Sequence, residues 1–104
     1  MRREALPDLP DLTGKEFIAM SVLVDAPEPI HGLKVVELTA GALKRGSVYA
    51  TLNRLEAKGY VTSKKEDEQP GIAQPRRLYK ATVLGAKIFK AVAAGRASVK
   101  KALA

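Results

Sequence analysis

A mainly α-helical fold carrying one two-stranded β-hairpin is what this chain predicts, and three observations predict it. Apolar residues recur at helical spacing in four separate stretches. Between the third and fourth, YVTSKK and RRLYKAT shift to β-favouring composition around a turn-rich link containing Pro70-Gly71. The order is therefore helix, helix, helix, hairpin, long helix.

The first dozen residues hold two prolines and three acids among isolated leucines, and they read as a loose arm over 1–12. Thr13 stands three residues before Glu16, the spacing of a capping box at a helix start. Phe17, Ile18, Met20, Leu23 and Val24 give that first helix a broad apolar face, which Asp25, Pro27 and Pro29 end. A second helix fits Gly32 or Leu33 to about Ala40, with Leu33, Val36 and Leu38 inward and Gly41 as its stop.

The third helix lies in GSVYATLNRLEAKGY, Gly46 to Tyr60. At about 100° per residue, Val48, Leu52 and Leu55 gather on one narrow side, with Ser47, Ala50, Asn53, Arg54 and Ala57 opposite and Tyr49 on the border. Ser47 or Gly46 is the expected cap, and Gly59 the expected C′ residue. Tyr60 to Lys65 and Arg76 to Thr82 form the two strands of the hairpin, with Tyr60 and Tyr79 packing within it. Thr82 caps the last helix. Leu84, Ile88, Val92, Val99 and Leu103 share one side of it with Phe89 beside them, and Gly85 is a close-packing position. At 22 residues, 83–104 is long for so small a body to cover.

Charge is placed unevenly along the 104 residues, whose formal net charge is +7. Residues 42–65 hold six basic groups and one acid, and residues 83–104 five basic groups and none. A polyanionic partner is favoured, and it would meet the second half of the chain. The longest nearly apolar run, Phe17 to Val24, is eight residues, too short to span a bilayer, and the start MRREALPDLPDL lacks a signal peptide's apolar stretch. The expectation is a cytoplasmic protein with no membrane partner.

Helix, helix, presented helix, hairpin is the order of a winged helix-turn-helix, followed here by a helix suited to dimerisation. The boundaries expected are 13–82 for the winged domain and 83–104 for the dimerisation helix. A helix with small residues at its outer centre suits a DNA major groove about 12 Å wide. Asn53 and Arg54 are of the types that read base edges in pairs of hydrogen bonds, and Ser47 can meet phosphate beside free backbone N–H groups. Tyr49 is either a core-edge aromatic or a phosphate contact through its hydroxyl. Lys58, Lys64, Lys65, Arg76 and Arg77 complete the candidate DNA contacts, the hairpin cations gripping flanking phosphate or minor groove.

The chain resembles the PadR family of bacterial transcriptional regulators at separated points. His31-Gly32 matches the pair opening the family's second helix, and Gly46-Ser47-Val48-Tyr49 the run opening its recognition helix. Leu52, Leu55-Glu56, Gly59 and Val61 fit the family's "L-x-x-L-E-x-x-G-x-[IV]". Arg76-Arg77, Tyr79, Thr82 and Gly85 fit its second wing strand and exit. Leu33 stands where the family usually has tyrosine, the wing tip is long, and a single C-terminal helix points to the short subfamily. The resemblance implies a homodimer that represses by occupying palindromic operator DNA and is often released by a small-molecule effector.

Other chemistry finds little support. There are no cysteines, no phosphate loop, and no nucleophile–base pair or metal-ligand spacing, so neither an enzyme, a cofactor nor a metal is expected. His31, the single histidine, reads as structural at the entry to the second helix, and Glu66-Asp67-Glu68 as a solvated wing tip. The competing reading is a winged-helix interaction module that binds an acidic protein partner.

Overall fold

Thr13 opens the first helix by the reciprocal bonds its spacing requires. Its Oγ1 accepts from the Glu16 N–H at 3.2 Å, and its own N–H donates to Glu16 Oε1 at 3.0 Å. The computed structural model describes residues 11–67, 70, 71 and 75–103, with side chains to Ala97. The elements are α1 (Gly14–Asp25), β1 (Ile30–His31), α2 (Gly32–Leu38), α3 (Arg45–Ala57), β2 (Val61–Lys65), β3 (Arg77–Ala81) and α4 (Val83–Leu103).

In α1 the buried stripe is Glu16, Ala19, Met20 and Leu23, spaced as one helical face. Phe17, Ile18 and Val24 flank it, half-buried. Leu12, assigned to the arm by the sequence, belongs to the core: it is buried, and its carbonyl accepts from Arg96 Nη2 at 3.2 Å. The remainder of the expected arm, 1–10, lies outside the described residues.

The hairpin has a third strand. Ile30 and His31 pair antiparallel with Tyr79 and Leu78, so the sheet runs β1-β3-β2 instead of two-stranded. Two residues are too few to show an alternating pattern. His31 then caps α2, its Nδ1 accepting from the Lys34 N–H at 3.2 Å. Gly32 lies under the Tyr49 ring: a Cβ there would stand 2.7 Å from Tyr49 Cζ, so a larger residue would have to displace that part-exposed ring.

The inward set of α2 also needs correction. Val35 is fully buried and Val36 partly, whereas Leu33 and Leu38 are 39% and 52% exposed. The helix ends at Leu38, and Ala40 and Gly41 turn the chain with φ of 53° and 89°. Thr39 closes this turn, its Oγ1 donating to Val36 O and accepting from the Leu43 N–H. That drops Leu43 fully into the core from a loop position.

Helix α3 begins at Arg45 with Lys44 as N-cap and no side-chain capping bond, so neither Ser47 nor Gly46 caps it. Val48, Thr51, Leu52 and Leu55 are its buried side. Its C-terminus is a Schellman motif. Gly59 has φ 83° and donates to Glu56 O, and the Tyr60 N–H donates to Leu55 O, both at 3.0 Å.

The start of α4 is seated directly on that motif. The Thr82 N–H donates to Tyr60 O, Thr82 Oγ1 donates to Gly59 O, and the same Oγ1 accepts from the Gly85 N–H. A Cβ on Gly85 would run into the Tyr60 carbonyl, so only glycine permits this approach. Farther along, Phe89 stacks on Phe17 with centroids 4.9 Å apart, and the Arg96 guanidinium covers Phe17 at 4.0 Å. Ile88, Phe89 and Val92 thus pack partly on the chain's own core, leaving Val83 and Leu84 as the exposed apolar residues at its start. The side chains of Val99 and Leu103 lie outside the described residues.

Candidate nucleic-acid interface

Burying Val48, Leu52 and Leu55 turns the opposite side of α3 outward. Ala50, Asn53 and Ala57 are exposed along it, with Ser47 half-exposed in its first turn. Tyr49 is 44% exposed at the edge, with its ring against Gly32. Lys44 and Arg45 are exposed at the N-terminal end. The sequence reading counted their charge without assigning them a role, although a helix N-terminus with two cations suits phosphate.

Arg54, expected on the outer side of α3, and Lys58, expected to contact DNA, are both engaged within the protein. Both turn toward α1 and close on Glu16, whose side chain is 1% exposed. Lys58 Nζ donates to Glu16 Oε1 at 2.9 Å and to Oε2 at 3.0 Å. Arg54 Nε donates to Oε2 at 3.4 Å, and its Nη2 reaches Thr51 Oγ1. Burial pushes the Glu16 carboxyl up, but Lys58, the Thr13 N–H and Arg54 outweigh it and hold the group below the ordinary carboxylate value. The two cations remain 48% and 41% exposed, at the rim of the helix's outer side.

The wing carries a second polar set. Ser63 Oγ donates to Glu56 of α3 and accepts from Arg77 Nη1 at 3.2 Å, bridging strand and helix. Arg76 grips Glu66 at 3.2 and 3.1 Å through Nε and Nη2. Lys64 and Lys65 are exposed, and no ion pair involves either among the described residues. Lys64 shares the outer sheet face with Thr62, Leu78 and Lys80, which with Pro29 and Ser63 line a shallow concavity of about 250 Å³. Lys80 is a cation of this face that no motif in the sequence singles out.

A further open groove of about 560 Å³ lies between α1 and α2, lined by Val22, Ala26, Pro27, Ile30 and Leu38 with Asp25 and Lys34 at its edge. Among the described residues no cluster of His, Cys, Asp or Glu could hold a metal, and no helix is long and apolar enough to cross a membrane.

A presented helix between a helix-turn and a β-wing defines a winged helix-turn-helix. Residues 20–91 match the model of the transcriptional regulator PadR-like family, and the chain belongs to that family of non-enzymatic, DNA-binding regulators. A search of curated proteins finds no match. Among solved structures, a PadR family transcription regulator from Clostridium difficile R20291 is 21% identical with a TM-score of 0.74, covering 88% of this chain and 95% of its own. One from Eggerthella lenta DSM 2243 is 25% identical, TM-score 0.70, over 83% and 77%. The PcaV transcriptional regulator from Streptomyces coelicolor, in complex with its natural ligand, is 21% identical, TM-score 0.72, over 88% and 60%. All three share the fold.

Proposed function

We propose that the protein is a homodimeric repressor that occupies palindromic operator DNA, with α3 in the major groove and the wing on flanking backbone. The observation that carries this is the outer side of α3, where Ala50 and Ala57 clear a narrow centre around exposed Asn53. Ser47, Lys44 and Arg45 at its start and Lys64, Lys65 and Arg77 on the wing supply phosphate contacts. Tyr49 lies with its hydroxyl and adjoining ring edge against Gly32, so a phosphate contact through that hydroxyl would be made beside the start of α2.

Two copies joined through α4 would present two such helices about 34 Å apart, one duplex turn. Exposed Val83 and Leu84 begin the apolar side available for that contact, continued by the half-buried Ile88 and Val92. Relief by a small effector is a further part of the reading, supported by the neighbour solved with its natural ligand. The groove between α1 and α2 is the place to screen.

Selecting bound duplexes from a random pool should return an inverted repeat, and sedimentation at micromolar concentration should show a dimer. Ala50→Leu should keep the fold and abolish protection of that repeat. A folded Ala50→Leu variant that protects the same operator with unchanged affinity would remove α3 from the groove. Binding confined to acidic proteins, with no salt-sensitive affinity for duplex DNA, would instead favour an interaction module.

A further inference from the structure

Glu16 does more than its capping box requires. One oxygen would satisfy the Thr13 N–H, yet the carboxylate takes four donor contacts, three of them from cations 38 and 42 residues away on α3. These cations belong to the helix that the DNA-binding reading places in the groove, and the inference rests on that reading. Being buried, Glu16 cannot turn to solvent when they leave, so a phosphate competing for them would strand an unpaired carboxylate. The polar bonds hold Arg54 and Lys58 back from that competition.

We propose that Glu16 is the internal counter-ion of the recognition helix, withholding Arg54 and Lys58 from phosphate so that the uncharged outer side of α3 chooses the sequence. Phosphate contacts strengthen binding to every duplex and carry no sequence information. Two free cations at the end of a recognition helix would therefore raise the background against which the operator competes. The wing differs. Lys64 and Lys65 are exposed, without an acid partner among the described residues, and provide the indiscriminate share of the affinity. Glu16 is thus a positioning residue for specificity, acting through two side chains it never releases.

The test is the salt dependence of duplex binding, which a purely structural role leaves alone. Glu16→Gln keeps an oxygen for the Thr13 N–H and removes the charge. It should tighten binding to random duplex, steepen the plot of log affinity against log salt by about one to two, and lower the ratio of operator to random affinity. In the chain that retains Glu16, Lys58→Met should leave the slope unchanged, while Lys64→Met should flatten it by about one. This second comparison decides the matter if Glu16→Gln does not fold, because Arg54 and the Thr13 N–H still satisfy Glu16 in Lys58→Met. A folded Glu16→Gln protein with unchanged slope and ratio would overturn the proposal, as would a Lys58→Met variant that flattens the slope as much as Lys64→Met. A parent protein showing no salt-dependent duplex binding would instead sink the DNA-binding reading itself.

Discussion

Glu16 and Glu66 each hold an arginine, in opposite surroundings. Glu16 is sealed between α1 and α3, its side chain 1% exposed, with Lys58 and the Thr13 N–H beside Arg54. Glu66, its side chain 16% exposed, sits where β2 ends and is held, among the described residues, by Arg76 alone, whose side chain is 52% exposed. At the wing, water reaches the Glu66 carboxylate and can take the place of Arg76. At Glu16 it cannot, so the cations there are structural first and available to a ligand second. Residue type alone would rank Arg54, Lys58 and Arg76 as equivalent candidates, and burial of the opposing acid is what separates them.

The largest expected effect tests the sealed site directly. Replacing both Arg54 and Lys58 by alanine leaves a buried carboxylate with the Thr13 N–H alone, and should lower unfolding free energy by about 3–5 kcal/mol in urea titration. Acid should act oppositely on parent and variant. In the parent the Glu16 pKa is lowered on folding, so its stabilisation is complete above the ordinary value of 4.5 and is lost as pH falls through the folded value. In the variant burial dominates and raises the pKa, so this group's contribution is present at low pH and lost as pH rises. An acid limb that keeps its direction in the variant would mean that Lys58 and Arg54 are not what holds Glu16 ionised.

The wing gives the intermediate effect. Arg77 bonds a neutral hydroxyl and keeps its full charge, whereas Arg76 is shared with Glu66. Arg77→Ala should therefore weaken all duplexes alike and flatten the salt slope by about one. Arg76→Ala should flatten it less, with little change in melting temperature. Equal losses, measured by fluorescence anisotropy across salt, would show that Glu66 does not shield its partner.

The smallest effect lies at His31. Burial, with Arg76 and Lys34 nearby, lowers its pKa below 6.5, and Glu66 and Glu37 work the other way. The neutral ring is the form that caps α2, since Nδ1 accepts from Lys34 N–H. Its contribution is complete above the unfolded value and declines as pH falls through the folded one. Glu66→Gln should lower the His31 pKa further, read from the imidazole resonances. An upward shift would show that Arg76 leaves the site when Glu66 is neutralised.

Much of this was legible from local pattern. Thr13-x-x-Glu16 set the start of α1, Gly59 the end of α3, and Thr82 the start of α4, because caps involve neighbours in sequence. What escaped was set by distance. The partners of Glu16 lie 38 and 42 residues on, and no periodicity within α1 or α3 points to them. Seven residues of α2 offer too few positions to choose Val35 over Leu33 and Leu38, and the β1 pairing involves two residues recruited by β3. Leu43 is core by virtue of a turn that Thr39 closes, not of any repeat.

The junction at Tyr60 has a mechanical consequence. Residues 59 and 60 end α3, residues 82 and 85 begin α4, and the four are joined by hydrogen bonds with a glycine pressed against a carbonyl. Helix α4, 21 residues at about 1.5 Å each, is then a rod roughly 32 Å long that pivots on the last turn of α3 and leans on α1 through Phe89 and Arg96. A tilt of about 5° at that pivot sweeps the far end of the rod through nearly 3 Å. Read in reverse, a displacement of a few ångströms imposed at the distal end becomes a small, stiff rotation of α3.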